Sequence, residues 1–202
     1  MNKKFPVTVL FLTNNENAKD LYRWIKDRCP AVLNSERLNI QEIQNLHPRL
    51  VVSYNYKYII GKEIIDFMQG SMINLHISYL PWNRGASPNI WSFIDNTPKG
   101  VTIHQISPEC DRGKILYQKE CFFCPEKETL ESAYLKLNHE ITELFKSHWQ
   151  EIYDGSYRLH SQEGTGSYHS KKDLEALMKR VDFQWTDNIA VFLDKYRKNA
   201  GR

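Results

Sequence analysis

Asn74 and His76 are the side chains whose spacing most clearly allows chemistry. They lie at i and i+2 at the end of an apolar run, MINLH, that reads as a strand, so both point to the same side of it. In open α/β sheets the strand ends line the ligand crevice. A carboxamide that donates a hydrogen bond beside an imidazole suits stabilisation of a tetrahedral oxyanion, the imidazole adding proton transfer or positive charge. Asp111 lies in the loop Cys110-Asp111-Arg112-Gly113, beyond a strand ending near His104. It offers a carboxylate that could orient the histidine or accept an amine proton through water. Spacing alone leaves a plainer reading open, since a strand-end Asn-x-His is often an incidental polar pair.

The elements that must hold these residues follow from the patterning. With 202 residues, 41% hydrophobic and 25% charged, the chain reads as one ordinary soluble domain whose core needs neither disulfides nor a structural metal. Its 27 basic and 24 acidic residues are interspersed, for a net charge of +3. That gives little reason to expect nucleic acid, and fits either a phosphate-bearing substrate or a mixed solvated surface. Residues 1–12 carry two lysines and a short apolar run with no small-residue cleavage site, and no apolar stretch approaches membrane-spanning length, so a cytoplasmic protein away from the membrane is expected. Four cysteines are then expected as reduced thiols. Cys121-x-x-Cys124 sits in a strand-like aromatic stretch with no second pair, which disfavours zinc or redox use.

Residues 5–12 read as a buried strand, followed by a turn and a helix over 17–26. Strands at 50–54 and 72–76 flank a short helix at 62–68; a helix over 86–96 precedes strands at 100–106 and 114–123. Ala133, Leu137, Ile141, Leu144, Phe145 and Trp149 recur at helical spacing within 130–153, predicting an amphipathic helix that closes the core. Residues 154–170 are polar and turn-rich, and helices are predicted over 172–180 and 186–198. The rhythm implies an α/β fold: a Rossmann-like three-layer core over 1–153 with a mostly parallel sheet, and a small C-terminal extension over 154–202 that packs on the core or on a partner subunit.

Missing motifs narrow the chemistry. Neither G-x-G-x-x-G nor G-x-x-x-x-G-K-[ST] follows the first strand, which weakens nicotinamide and ATP sites. His139-Glu140-Ile141-Thr142-Glu143 has a glutamate where H-E-x-x-H needs its second histidine, and there is no G-x-S-x-G nucleophile elbow.

The run Asn74-Leu75-His76-Ile77-Ser78-Tyr79-Leu80-Pro81-Trp82-Asn83-Arg84-Gly85-Ala86-Ser87-Pro88 closely resembles the N-L-H-x-S-x-L-P-x-x-R-G-x-x-P pattern of the folate-dependent formyltransferases. Gly100-Val101-Thr102-Ile103-His104 and Asp111-Arg112-Gly113-Lys114-Ile115-Leu116 resemble that family's G-V-T-x-H and D-x-G-x-I-L blocks, and residues 51–60 are similar to its pteridine-cradling loop. The resemblance implies transfer of a formyl group from 10-formyltetrahydrofolate to a primary amine, with no metal. Asn74 and protonated His76 would stabilise the oxyanion. Asp111 would help remove the amine proton and keep His76 charged. Tyr58, Ile59 and Ile60, mainly through their backbone, would hold the folate together with Asp111. Arg112 stands where the family usually has a small residue, and pairing with Asp111 would lower the carboxylate's basicity.

For the acceptor, the tRNA-modifying members carry a further C-terminal tRNA-binding domain for which this sequence has no room, and the purine-pathway members have a glycine-rich phosphate loop in place of L-P-x-x-R-G. Residues 162–174 are similar to the G-x-x-Y-H-x-x-K-D motif of bacterial sugar N-formyltransferases. The implied acceptor is a dTDP- or UDP-linked 3- or 4-amino deoxysugar destined for a bacterial surface glycan such as O-antigen; another small amine, or a non-catalytic folate- or nucleotide-sugar-binding relative, are the alternatives. Trp82, Arg84, Tyr168, His169 and Lys171 are candidate substrate contacts, although Trp82 and Tyr168 could simply pack onto the core and Arg84 could pair with a core carboxylate. A homodimer is implied by the resemblance, with Phe183, Trp185, Phe192 and Tyr196 either forming its surface or folding back on their own core.

Overall fold

A computed structural model describes residues 8–200. Among the described residues there are eight strands: β1 (Val9–Leu12), β2 (Ala31–Asn34), β3 (Leu50–Tyr54), β4 (Met72–His76), β5 (Arg84–Gly85), β6 (Gly100–Gln105), β7 (Ile115–Glu120) and β8 (Tyr168–His169). The helices are α1 (Lys19–Lys26), α2 (Ile40–Leu46), α3 (Lys62–Met68), α4 (Pro88–Ile94), α5 (Leu130–Ser147), α6 (Trp149–Asp154), α7 (Lys171–Arg180) and α8 (Ile189–Ala200). Of the strand expected over 5–12, residues 5–7 lie outside the described residues, and β2 and α2 were not foreseen.

The six-stranded sheet has the order β2-β1-β3-β4-β6-β7. β2, β1, β3 and β4 are mutually parallel, whereas β6 runs antiparallel to both β4 and β7. The sheet is therefore mixed, with β6 alone reversed. Alternation along each inner strand separates two core layers. Val9, Phe11, Val52, Ile73 and Leu75 face α1 and α5, while Leu10, Leu12, Val51 and Met72 face α2 and α3. The result is a Rossmann-like arrangement of helices on both faces.

The long helix expected over 130–153 breaks at His148, where φ of −108° leaves the helical range and separates α5 from α6. Thr129 caps α5 through a reciprocal box with Ser132. Beyond α6 the chain returns to the core. Leu177 of α7 and Ile189 and Phe192 of α8 share one apolar cluster with Ile90, Trp91 and Phe93 of α4 and Leu130 and Ala133 of α5. Of the two alternatives for the tail aromatics, folding back on the core is the one the structure shows for three of them. Phe192 is fully buried, Phe183 packs on it with ring centroids 4.9 Å apart, and Tyr196 is half-buried in the same cluster. Trp185 alone of the four is substantially exposed.

Among the described residues no helix is long and apolar enough to cross a membrane, and Cys29, Cys110, Cys121 and Cys124 are all free.

Candidate active site

Asn74 and His76 share the face of β4 that carries Met72. On the neighbouring antiparallel strand β6, His104 stands directly opposite Asn74, which brings their side chains together on one face. The β6–β7 register shifts between Ile103 and His104, the kind of irregularity that re-aims a side chain beside a functional site. His104 Nδ1 lies 2.8 Å from the Gln105 carbonyl oxygen, and its Nε2 lies 3.2 Å from Asn74 Nδ2.

Asp111 reaches this ledge from the loop between β6 and β7. At Gly113 a Cβ would lie 1.7 Å from the Gln105 carbonyl oxygen, so only glycine lets the loop press against the end of β6. Asp111 itself has φ of +52°, an uncommon and costly conformation for a non-glycine residue that recurs at functional sites. Its Oδ2 accepts the Gly85 N–H at 2.9 Å and its Oδ1 lies 3.5 Å from Asn74 Nδ2. His104 Nε2 is 3.5 Å from Oδ1, and His76 Nε2 is 3.9 Å from Oδ2. The sequence motif contained His104, but its place beside Asn74 depends on the reversed direction of β6.

The electrostatics bear on two expectations. Burial alone would push the Asp111 carboxyl up, but His76, His104 and the Gly85 N–H outweigh it and hold the group well below the usual carboxylate range. Asp111 is therefore a weak base, and Arg112 is not the cause: its Nε pairs with Glu109 at 3.1 Å instead. Burial lowers the His76 pKa, with Asp111 working against it. That direction favours the neutral imidazole in the free protein, whereas the resemblance implied a protonated one. The Cys110 thiol, 3.4 Å from Asp111 Oδ2, is pushed up to about 12 by burial and by that carboxylate, and stays protonated.

These groups open into a cleft of about 1020 Å³. Tyr58, Ile59 and Ile60 line it, as do Tyr168, His169 and Lys171. Trp82 and Arg84 do not. The Arg84 guanidinium is buried and spent on the polypeptide, donating to the Ser167 carbonyl at 3.2 Å and the Thr165 carbonyl at 3.0 Å. Trp82 is half-buried, its carbonyl accepting the Ser78 hydroxyl. Arg84 thus seats the 165–167 loop, so that Arg84–Gly85 pairs in parallel with Tyr168–His169. His169 stacks on Trp91 at 4.1 Å between centroids and 4° between planes, while its Nε2 meets Asp95 Oδ2 at 2.7 Å. Its ring acts chiefly as a rivet for the cleft wall. Tyr134 and Trp185, neither foreseen as site residues, also line the cleft, with their rings edge to face. A second cavity of about 390 Å³ between α4 and α8 includes none of the expected site residues.

A strand-end cleft in a Rossmann-like sheet, with amide, imidazole and carboxylate converging in it, is a group-transfer architecture. The chain belongs to the Formyl transferase family, matched over residues 6–147, and is a formyl-transferring enzyme. The dTDP-4-amino-4,6-dideoxyglucose formyltransferase of Mycobacterium tuberculosis is 31% identical over 205 residues, covering 95% of this chain and 86% of that protein. The formyltransferase PseJ of Anoxybacillus kamchatkensis was solved with UDP-4,6-dideoxy-4-formamido-L-AltNAc and tetrahydrofolate. It matches this structure with a TM-score of 0.83 at 34% identity, covering 93% of this chain and 98% of that one. The methionyl-tRNA formyltransferase of Fusobacterium nucleatum is 39% identical, but over only 82 residues, 40% of this chain.

Proposed function

We propose that this enzyme transfers a formyl group from 10-formyltetrahydrofolate to the primary amine of a dTDP- or UDP-linked 3- or 4-amino deoxysugar. The observation that carries the reading is the convergence of Asn74, His76 and Asp111 on a cleft walled both by residues 55–60 and by residues 168–171. The long similarity to sugar N-formyltransferases supports the acceptor class.

The folate supplies the activated one-carbon unit. The 55–60 loop suits its polar-edged heterocycle: Asn55 lines the cleft, and its Nδ2 is buried without a partner. Tyr58, Ile59, Ile60 and Asp111 would hold it. Asn74 Nδ2 has a firm contact to His104 and a long one to Asp111. The second N–H is the one free to turn toward the carbonyl oxygen under attack and stabilise its developing charge. His76 directs Nε2 toward the Asn83 carbonyl at 3.4 Å and toward Asp111. This leaves Nδ1 to take the proton that the attacking amine sheds as its bond to the formyl carbon forms. His76 then returns that proton to the departing nitrogen as the old bond breaks. Asp111 stabilises the imidazolium in between, so His76 acquires its charge during the reaction rather than carrying it beforehand.

Tyr168 and Lys171 are proposed contacts for the nucleotide diphosphate. The reaction is assigned to the cytoplasm and its product to a bacterial surface glycan such as O-antigen. Pairing of two chains, implied by the resemblance, would use a face other than the buried aromatics of α8. The test is incubation with 10-formyltetrahydrofolate and a panel of nucleotide-linked amino sugars, followed by mass spectrometry. One sugar should gain a formyl group, and Asn74→Ala should lower kcat by about 10²–10³-fold with folate binding retained. Failure of every sugar while folate binds would remove the acceptor class.

A further inference from the structure

Asn89 is 2% exposed, sits in the first turn of α4 and lines the cleft, yet its Nδ2 makes no hydrogen bond. Buried donors in native proteins are nearly always paired, and one left open carries a cost that a bound partner relieves. Trp91 Nε1 is also buried and unpaired, but Trp91 stacks on His169 and does not line the cleft. We infer that the Asn89 carboxamide, turning about its terminal torsion when the acceptor enters, donates a hydrogen bond from Nδ2 to an uncharged oxygen, a hydroxyl or carbonyl, on the amine-bearing ring of the acceptor sugar.

The inference rests on the acceptor class proposed above, and placement and chemistry select the ring. The segment leading to Asn89 begins at Gly85, whose N–H is bonded to Asp111 Oδ2 at 2.9 Å, so this stretch of wall adjoins the reacting centre. A neutral carboxamide suits a neutral oxygen, whereas the diphosphate has the Lys171 ammonium in the same cleft. Asn89 thereby orients the ring so that its amine meets His76.

The test compares Asn89→Leu with wild type in three measurements: KM for a nucleotide-linked amino sugar that wild type formylates, KM for 10-formyltetrahydrofolate, and Tm of the ligand-free protein. The expected result is about a tenfold rise in the sugar KM, an unchanged folate KM, and a Tm that holds or rises because an unpaired buried donor has been removed. The Tm increase produced by the nucleotide sugar should shrink in parallel. An unchanged sugar KM together with a lowered Tm would overturn the inference, because the amide would then serve the protein's own packing. Asn89→Ala, read the same way, covers failure of the leucine variant to fold. If wild type formylates no nucleotide-linked sugar, the acceptor reading itself falls before any variant is compared.

Discussion

Replacing Asp111 by asparagine keeps the side chain's shape and an oxygen to accept the Gly85 N–H, and removes only the charge. His76 Nε2 lies 3.9 Å from Asp111 Oδ2. At that separation, with an effective dielectric near 20, opposite unit charges attract by roughly 4 kcal/mol. If His76 is charged only in the transition state, losing that attraction corresponds to a fall of about 10³-fold in kcat. Burial already places the His76 pKa below its ordinary value and the carboxylate is what resists the shift, so Asp111→Asn should lower it further. Since His76 must be neutral to accept a proton, wild-type kcat/KM should fall on the acid side as pH drops through a value below about 6.5. In the variant that limb should move to still lower pH beneath a much lower plateau. Stability has the same sign: it is fully present above the unfolded histidine pKa and is lost as pH falls toward the depressed folded value, more deeply in the variant. The pH–rate profile and an NMR titration of the histidine rings measure both. An acid limb that stays in place or moves upward would refute the electrostatic pairing of His76 with Asp111.

Gly113→Ala puts a methyl against the Gln105 carbonyl and should cost about 1–3 kcal/mol by urea unfolding. By displacing the Asp111 loop it should also lower kcat by about 10²-fold; an unchanged midpoint and rate would contradict the close approach. Arg84→Met, which removes the donors to the Thr165 and Ser167 carbonyls, should cost about 1.5–3 kcal/mol. It should also open residues 155–170 to limited proteolysis and raise KM for the sugar more than for folate.

The sequence was most legible where a strand is buried on both faces. VLFL is an unbroken apolar run and LVVSY is interrupted only by Ser53, and β1 and β3 lie where those runs predicted. By contrast, β2 is an edge strand with every residue partly or fully exposed, so AVLN offers no comparable run. α2 is short and mostly polar, though the Asn39 and Glu42 of its capping box were a readable start signal. Motif resemblance located Asn74, His76 and Asp111, but their protonation could not be read from the chain, because it depends on burial and on His104 arriving from a strand of reversed direction. Arg84 and Trp82 were assigned to substrate by residue type. A guanidinium fits peptide carbonyls as well as phosphate, and only the folded position of residues 165–167 decides between them. Asn89 carries no local signal at all, being one asparagine among many until its donor is found buried and unmatched.

The two-residue ladder between β5 and β8 has an evolutionary consequence. The Formyl transferase match ends at residue 147, whereas residues 168–171 line part of the cleft and are held to the core by the strand pair, the Trp91–His169 stack and the Arg84 contacts to residues 165 and 167. The stretch that matches the family and a portion of the cleft wall thus lie on separate parts of the chain. The tail is nevertheless not free to vary alone: Leu177, Ile189 and Phe192 complete the apolar cluster with α4 and α5, and Gln162 donates to the carbonyls of Asp111 and Gly113, so a rewritten cleft wall must keep these anchors for the reacting groups to stay in place.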